Sequence, residues 1–356
     1  MKRLAAVSLL LLVMAGCSKG AEETVQPVQE WTEPEQESLD GLQVEITEVA
    51  AGLRSPWSID RHGETFYISE RGGSIAEVET DGTVRRLDAK LSAPLSGAAE
   101  AGLMGFVLKP GFDENREAYA YYTYEGASGP VNRIVTLRRG DAGWHETDIH
   151  LDMVMSGAVH HGGRLALSPD GTLFATVGDR LDPGTAQDPE SLNGKILRMN
   201  EDGEFEVYTI GHRNPQGLAW DKDGVMYATE HGQSANDELN RIEQGRNYGW
   251  PVIQGPEQRE GMERPIATSG DDETWAPSGL AYLGGRLYAG ALRGEAVLVF
   301  GPATGSLLRR IEGYGRVRDV FSNGDAVYFI TNNTDGRGTP REGDDRLMEI
   351  KHPGSD

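Results

Sequence analysis

The chain of 356 residues carries 34 basic and 56 acidic side chains, for a formal net charge of −22. Such a charge repels a phosphate backbone, so nucleic acid is excluded as an expected partner. The 47 glycines follow no collagen-like period and indicate many tight turns between many short strands.

The first segment in chain order, residues 1–16, predicts an export signal. It begins with Lys2 and Arg3, continues with an apolar stretch too short to span a bilayer, and ends in small residues before Cys17, the only cysteine. The four residues that end at Cys17 resemble a bacterial lipobox, in which the cysteine is lipidated after cleavage. We therefore expect an exported protein anchored by lipid to the outer face of the cell membrane, or on the periplasmic side if an outer membrane is present. A plain signal peptide with an incidental cysteine is the alternative.

Residues 17–41 are predicted to form a flexible acidic tether, because they are poor in apolar side chains and rich in Glu, Gln and Pro. The folded domain is expected to span residues 42–356. With a single cysteine in the chain, this domain has no internal disulfide.

One pattern recurs six times in the folded part: alternating apolar residues, a Gly, Asp or Asn turn, and a second alternating strand. This period of two predicts β-hairpins, and their repetition predicts an all-β fold, a six-bladed β-propeller, with ligands bound where the inner strands converge. A β-sandwich also explains the alternation, but it does not explain six similar units. The units are 57–79, 102–124, 164–179, 217–232, 279–300 and 317–333.

A histidine pair directly before the third unit is the first candidate for catalysis. Either His160 or His161 could act as a general base, since an unperturbed imidazole titrates near neutrality. Asp179 follows the next strand and could orient that imidazole, although an Asp after Gly is also a common turn residue.

Residues 211–250 concentrate polar and charged side chains around a short strand pattern, which indicates a ligand site or a metal site. The acidic loop at 234–240 suits Ca²⁺ through its oxygen donors, with a solvated loop as the alternative. Farther on, Arg316 and Arg318 are two residues apart, so both face one side of a strand and could hold a carboxylate or phosphate. An ordinary charged strand face would show the same spacing.

Taken together, these motifs resemble the soluble, pyrroloquinoline quinone (PQQ)-dependent aldose sugar dehydrogenases of the glucose/sorbosone dehydrogenase family. The matching segments run in order along nearly all of the folded chain. They are GLMGFVLKPGF (102–112), HHGGRLALSPDG (160–171), GD (178–179), HRNPQGLAW (212–220), EHG with NDELN (230–240), NYGWP (247–251), WAPSGL (275–280) and RVRDV (316–320).

The resemblance implies a role for individual residues. His160 would be the catalytic base and Asp179 its support, while Arg213 and Asn214 would contact the quinone. The set that would bind the cofactor is Glu100, His160, Arg213, Asn214, Arg293, Arg316 and Arg318. Calcium would be held by the carbonyl groups of Gly232 and Gln233, and a further Ca²⁺ by Asp237, Glu238 and Tyr248.

Two positions depart from the family pattern. Glu100 stands where the family often has Gln, and Leu292 stands before Arg293 where the family commonly has Lys. One added anion and one missing cation are expected to weaken the binding of a tricarboxylate such as PQQ.

The implied activity is oxidation of the anomeric hydroxyl of an aldose to a lactone, with PQQ and calcium as cofactors and an unknown external electron acceptor. His160 would remove the hydroxyl proton, and Arg213 would polarise the quinone. Two other classes remain open at this stage. One is a Ca²⁺-dependent propeller lactonase, and the other is a non-catalytic surface-binding propeller.

Overall fold

The computed structural model describes residues 44–351, and these residues form an all-β fold, as predicted. The export signal, Cys17 and the whole predicted tether lie outside the described residues. The described part contains two helices, α1 (Phe112–Asn115) and α2 (Gly184–Gln187), and neither is long or apolar enough to cross a bilayer. The first described strand is β1 (Glu45–Ala50).

The next eight strands make one sheet that consists of two antiparallel four-stranded runs. A short parallel pairing joins the runs, with Ala89 opposite Trp144 and Lys90 opposite His145. The first run is β2 (Pro56–His62), β3 (Thr65–Glu70), β4 (Ser74–Val78) and β5 (Val84–Lys90), and the second is β6 (Leu103–Leu108), β7 (Glu117–Gly126), β8 (Gly129–Gly140) and β9 (Gly143–Met155).

Three further sheets each contain four antiparallel strands in chain order. The first is β10 (Leu165–Leu167), β11 (Leu173–Val177), β12 (Lys195–Met199) and β13 (Phe205–Ile210). The second is β14 (Pro215–Trp220), β15 (Met226–Glu230), β16 (Glu238–Ile242) and β17 (Ala267–Thr268). The third is β18 (Pro277–Leu283), β19 (Arg286–Ala291), β20 (Ala296–Phe300) and β21 (Leu307–Glu312).

The last sheet joins the two ends of the described chain. Strand β1 pairs antiparallel with the final strand, with Glu45 opposite Lys351 and Ile46 opposite Ile350. The order in this sheet is β1, then β24 (Leu347–Lys351), β23 (Val327–Thr331) and β22 (Val317–Ser322). The two edge strands of this sheet are therefore β1 and β22.

Hydrophobic clusters lie between four-stranded units that are consecutive in the chain. Strand β11 (LFATV) and strand β23 (VYFIT) are buried at every residue, because neighbouring units cover both of their faces. One cluster joins Tyr227 of β15 to Leu298 of β20, and another joins Ile330 of β23 to Ile68 of β3. The core is thus divided between sheets, which does not fit the two-sheet sandwich alternative.

Candidate active site

His160 and Asp179 form a hydrogen-bonded pair at the start of β10 and the end of β11. The Nδ1 atom of His160 lies 2.7 Å from Oδ1 of Asp179, and both side chains are almost fully buried. Asp179 also accepts hydrogen bonds from the backbone N–H of Leu181 at 3.0 Å and from the indole N–H of Trp250 at 2.9 Å. A carboxylate held by three donors fixes the imidazole and leaves Nε2 as the nitrogen that can take a proton.

The approach of these two segments depends on Gly178. A Cβ atom at this position would stand 2.0 Å from the carbonyl oxygen of His160, which no side chain can occupy. His160 itself has a φ of 63°, an unusual value for a residue with a side chain. The backbone conformation at both segments therefore depends on the close contact between Gly178 and the carbonyl oxygen of His160.

His161 has a different environment from its neighbour. Its Nδ1 lies 2.7 Å from the hydroxyl of Ser156, and its Nε2 donates to the carbonyl of Ala99 at 2.8 Å. Burial lowers the pKa of His161. With both ring nitrogens engaged inside the protein, His161 is a structural residue, and the geometry selects His160 as the candidate base.

Arg213 and Asn214 begin the next unit and are held by one buried carboxylate. Glu230 accepts the backbone N–H of Arg213 and, at 3.2 Å, that of Asn214, and its other oxygen lies 2.8 Å from Nδ1 of His212. The side-chain oxygen of Asn214 accepts the N–H of Gly162, two residues after the catalytic candidate, at 3.0 Å. This network ties the two units together beside the histidine–aspartate pair.

A cavity of about 270 Å³ lies beside this network and has an excess of positive charge. Its lining includes four of the residues predicted or noted from sequence, Glu100, Arg293, Arg316 and Arg318, together with Leu292. The other lining residues are Gln216, His231, Ala276 and Arg337. The cavity adjoins the histidine–aspartate pair through Glu100, whose carboxylate lies 3.5 Å from the backbone nitrogen of His160.

Arg318 is a buried cation without a carboxylate partner among the described residues. Its Nη1 donates to the side chain of Gln216 at 3.0 Å, while its buried Nε has no hydrogen-bond partner. Burial, with the neighbouring charge of Arg316, lowers the pKa of Arg318 to about 9. A buried unpaired guanidinium is costly in isolation, so this position suits an anionic ligand.

Arg316 is better satisfied by the protein. It donates to Asp335 at 3.1 Å, and its other donors reach the carbonyl groups of Asn332 at 3.3 Å and Leu292 at 3.4 Å. Leu292 is buried, so the missing cation noted from sequence is replaced here by an apolar wall. Arg293 is exposed at the edge of the cavity.

Glu100 forms an ion pair with Arg337, which lies 237 residues away in sequence. Burial acts to raise the pKa of Glu100, but the hydrogen bond and charge of Arg337, with His231 and Arg318, outweigh it and lower the pKa to about 2. Glu100 is therefore ionised at neutral pH and has its own counter-charge. Sequence analysis did not identify Arg337, because no local pattern connects it to Glu100.

His231 is a second cavity residue to which the sequence assigned no role. Its Nε2 is buried without a hydrogen-bond partner, and its carbonyl oxygen accepts from Arg213 at 3.4 Å. Burial lowers the pKa of His231 to about 4, so the ring is neutral at pH 7. The sequence signal that could have pointed to His231 is its position directly before the predicted calcium-binding turn.

The acidic loop after β15 divides into side chains with different tasks. Asp237 accepts hydrogen bonds from Gly232 at 2.9 Å and from Thr274, Trp275 and Ala276 between 2.6 and 2.8 Å. Three of these donors reach Oδ2 and one reaches Oδ1, so Asp237 holds the 232–237 turn against the following unit.

Glu238 and Tyr248 have different hydrogen-bond partners and surroundings from those of Asp237. Burial and the nearby charge of Glu230 raise the pKa of Glu238 to about 8, and the buried Oδ1 of adjacent Asn240 has no hydrogen-bond partner. Both features fit a cation at Glu238.

The hydroxyl of Tyr248 donates to the carbonyl of Arg241 at 2.7 Å, so it does not meet Asp237. Among residues 44–351, no three His, Cys, Asp or Glu side chains converge as a metal cluster.

A larger cavity of about 560 Å³ lies at the other ends of the inner strands. Asp60, Lys109, Trp220 and Tyr282 are among its lining residues, whereas His160 and Asp179 are not. We therefore place the candidate site at the smaller, cationic cavity, which adjoins the oriented imidazole through Glu100.

Comparison with known proteins gives the family of the chain. The profile of the Glucose / Sorbosone dehydrogenase family matches residues 53–340. Aldose sugar dehydrogenase YliI of Escherichia coli is 29% identical over 340 residues, 80% of this chain and 89% of that protein. An uncharacterized protein of Synechocystis sp. is 31% identical over 83% of this chain and 85% of its own. The PQQ-bound structure of an aldose sugar dehydrogenase from Streptomyces coelicolor has a TM-score of 0.79 and 36% identity, covering 87% of this chain and 98% of that chain.

The sheets and the site define an all-β, propeller-like protein with a buried base beside a cationic cavity. Since the family profile spans most of the chain, the protein belongs to the glucose/sorbosone dehydrogenase family. It is therefore an oxidoreductase of the sugar dehydrogenase class.

Proposed function

We propose that the protein is a quinoprotein that oxidises aldose sugars at the anomeric carbon to lactones, with PQQ and Ca²⁺ as cofactors and an external electron acceptor. The observation that carries this proposal is the His160–Asp179 pair next to a cavity with unpaired positive charge. When bound, PQQ supplies the two-electron acceptor for the hydride that leaves C1 of the sugar.

The part played by the protein in the reaction begins at Nε2 of His160. This nitrogen accepts the proton of the anomeric hydroxyl, while Nδ1–H stays directed at Asp179. Asp179 stabilises the imidazolium that forms, because its carboxylate is already oriented by Trp250 and Leu181. Such an oriented base contributes about 10²–10⁴-fold in rate.

The cationic cavity fits PQQ, which carries three carboxylates. Arg318 offers a buried guanidinium without a counter-charge, and Arg316 and Arg293 extend the positive surface. Asn214 is held by hydrogen bonds with Glu230 and with Gly162, two residues after the base, and would contact the quinone. Arg213, which stacks over Trp250 at 5.5 Å, supplies a cation near the reacting end.

The calcium part of the proposal rests on oxygen donors in two places. The turn at Gly232 and Gln233 is held by Asp237 and offers backbone carbonyl groups, which are suitable ligands for a hard cation. At Glu238, a carboxylate with a raised pKa beside the unpartnered amide oxygen of Asn240 fits a second Ca²⁺. The side chain of Asp237 would support the first site through hydrogen bonds, and ligation of the further Ca²⁺ by Asp237 and Tyr248 stays a prediction.

We also propose that the six four-stranded units are the blades of a six-bladed propeller. The two runs of the eight-stranded sheet would be separate blades, since only two residue pairs join them. The pairing of β1 with β24 would close the ring.

The localisation is a further proposal that follows from residues 1–17. Lipidation of Cys17 would anchor the exported enzyme, and the 17–41 segment would separate the domain from the membrane. If so, Cys17→Ala will move the protein from the membrane fraction to the soluble fraction and abolish incorporation of labelled fatty acid. Retention of the label by this variant would disprove the assignment.

The experiment that tests the function uses purified protein with added PQQ and Ca²⁺, an artificial dye and a panel of aldoses. We expect dye reduction that requires PQQ and falls at least about 100-fold in His160→Ala. Wild-type protein that binds no PQQ would overturn the proposal. Lactone hydrolysis without PQQ would instead support a lactonase, which no observation in the described residues favours.

A further inference from the structure

Arg337 occupies a position that ties two distant loops together at the cavity. It lies between β23 and β24, whereas its partner Glu100 lies directly before β6. Both side chains line the cavity, together with Arg316 and Arg318. The pair is thus part of the proposed cofactor site rather than of a remote surface.

Without Arg337, the charge of Glu100 would oppose an anionic ligand. Glu100 is ionised at neutral pH, since its pKa is about 2, and its side chain is only 23% exposed. In a partly buried site, such a charge repels a nearby carboxylate more strongly than it would in water. Leu292 adds no compensating cation, because its side chain is apolar and buried.

The other cavity cations are not ion-paired with Glu100. Arg316 is paired with Asp335, and Arg318 donates to Gln216. His231 makes no ion pair with Glu100 among the described residues, and its buried Nε2 has no hydrogen-bond partner. Among the described residues, Arg337 is therefore the only ion-pair partner of Glu100.

We propose that Arg337 is a cofactor-binding residue: it cancels the charge of Glu100 and provides the cation that Leu292 does not. This inference rests on the proposed binding of PQQ, a tricarboxylate. A guanidinium has five N–H donors, and the bond to Glu100 leaves others that can reach a carboxylate in the cavity. The half-exposed side chain of Arg337 also makes this contribution sensitive to ionic strength.

The test is equilibrium dialysis of PQQ against the purified full chain with Ca²⁺ at a fixed concentration, which measures affinity without turnover. Arg337→Ala is expected to weaken PQQ binding about 10- to 100-fold, because a charge-assisted contact is lost and Glu100 is left unpaired. Glu100→Gln is expected to tighten binding up to about 10-fold, because it frees Arg337. In the Glu100→Gln background, Arg337→Ala should weaken PQQ binding by a smaller factor than it does in the wild-type protein.

The control is Arg138→Ala, which breaks an arginine–glutamate pair of similar exposure with Glu117 on β7 and β8, away from the cavity. Arg337→Lys keeps the charge and should retain most of the affinity, and thermal melting shows whether each variant is folded. If Arg337→Ala is folded and binds PQQ as tightly as Arg138→Ala does, the inference is overturned. The proposed function would then still stand. Wild-type protein that binds no PQQ would overturn the proposed function and this inference with it.

Discussion

A single oriented imidazole carries the proposed chemistry. His160 and His161 are neighbours in sequence, yet only His160 has a carboxylate partner and a ring nitrogen left for substrate. His160 also has a φ of 63°, an unusual backbone value for a residue with a side chain. The residue pattern left the choice between the two histidines open and the family resemblance implied His160, while the structure gives the hydrogen-bond partners of each ring.

The first residue-scale prediction concerns Asp179. Asp179→Asn replaces the acceptor that fixes the imidazole tautomer, so kcat in the dye assay should fall about 10²–10⁴-fold. PQQ affinity, measured by dialysis, should change little, since Asp179 does not line the cationic cavity. Asp223→Asn, at an exposed turn, is the control. A variant of Asp179 with wild-type kcat would show that His160 needs no orienting carboxylate.

The second residue-scale prediction concerns pH and Asp60. Burial raises the pKa of Asp60 from 3.8 to about 6, although the backbone N–H groups of Leu108 and Arg61 oppose the shift. The folded state therefore holds its proton between about pH 4 and pH 6, where the unfolded chain has released it, so folding stability falls as the pH rises through this window.

Asp60→Asn removes this titration. The free energy of unfolding of the variant, relative to wild type, should rise by about 1–3 kcal/mol between pH 4 and pH 7. Urea unfolding at both pH values measures the difference. A difference that stays constant with pH would contradict the raised pKa.

At the scale of elements, the close contact between β10 and β11 positions the catalytic pair. Gly178→Ala would place a methyl group 2.0 Å from the carbonyl oxygen of His160, so the strand end must move. We expect at least a 10-fold loss of kcat and about 1–3 kcal/mol of destabilisation, measured by the dye assay and by urea unfolding. Gly184→Ala has more space, with its nearest neighbour at 3.6 Å, and is the matched control. Equal kcat for the two variants would contradict the proposed role of this contact.

The β15–β16 turn provides the calcium prediction. Ca²⁺ at about 100 times its dissociation constant should stabilise the wild-type protein by about 2.7 kcal/mol per site. Glu238→Gln should lose part of this stabilisation, because it removes the half-buried carboxylate beside Asn240. Glu243→Gln, half-exposed after β16, is the control. Thermal melting with and without Ca²⁺ measures the effect, and an equal gain in both variants would exclude Glu238 as a ligand.

Some strand pairings could be predicted from the sequence, and others could not. The sequence predicted strand pairs such as β14–β15 and β22–β23, because two strand-like segments joined by a Gly, Asp or Asn turn signal are typical of a hairpin. The pairing of β1 with β24 joins residues about 300 apart and leaves no local pattern. For the same reason the sequence did not predict the Glu100–Arg337 pair or the hydrogen bonds that Asp237 accepts from Trp275 and Ala276.

At the scale of the whole molecule, the site is assembled from loops of most of the four-stranded units. His160, Arg213 and Arg318 come from three different units, and Glu100 comes from a fourth. The family resemblance could name these residues in advance, but their burial, pairing and charge balance required the folded chain. The expected weakening of PQQ binding by Glu100 is the clearest case, since the ion pair to Arg337 supplies a counter-charge.

The proposed reaction is oxidation of an aldose at C1 with His160 as the base. The most direct measurement is product analysis of the PQQ- and Ca²⁺-loaded enzyme with a dye and the best aldose of the panel. We predict one lactone per two electrons delivered to the dye, and loss of both products in His160→Asn while PQQ still binds. Oxidation at another carbon, or undiminished turnover in His160→Asn, would contradict the account.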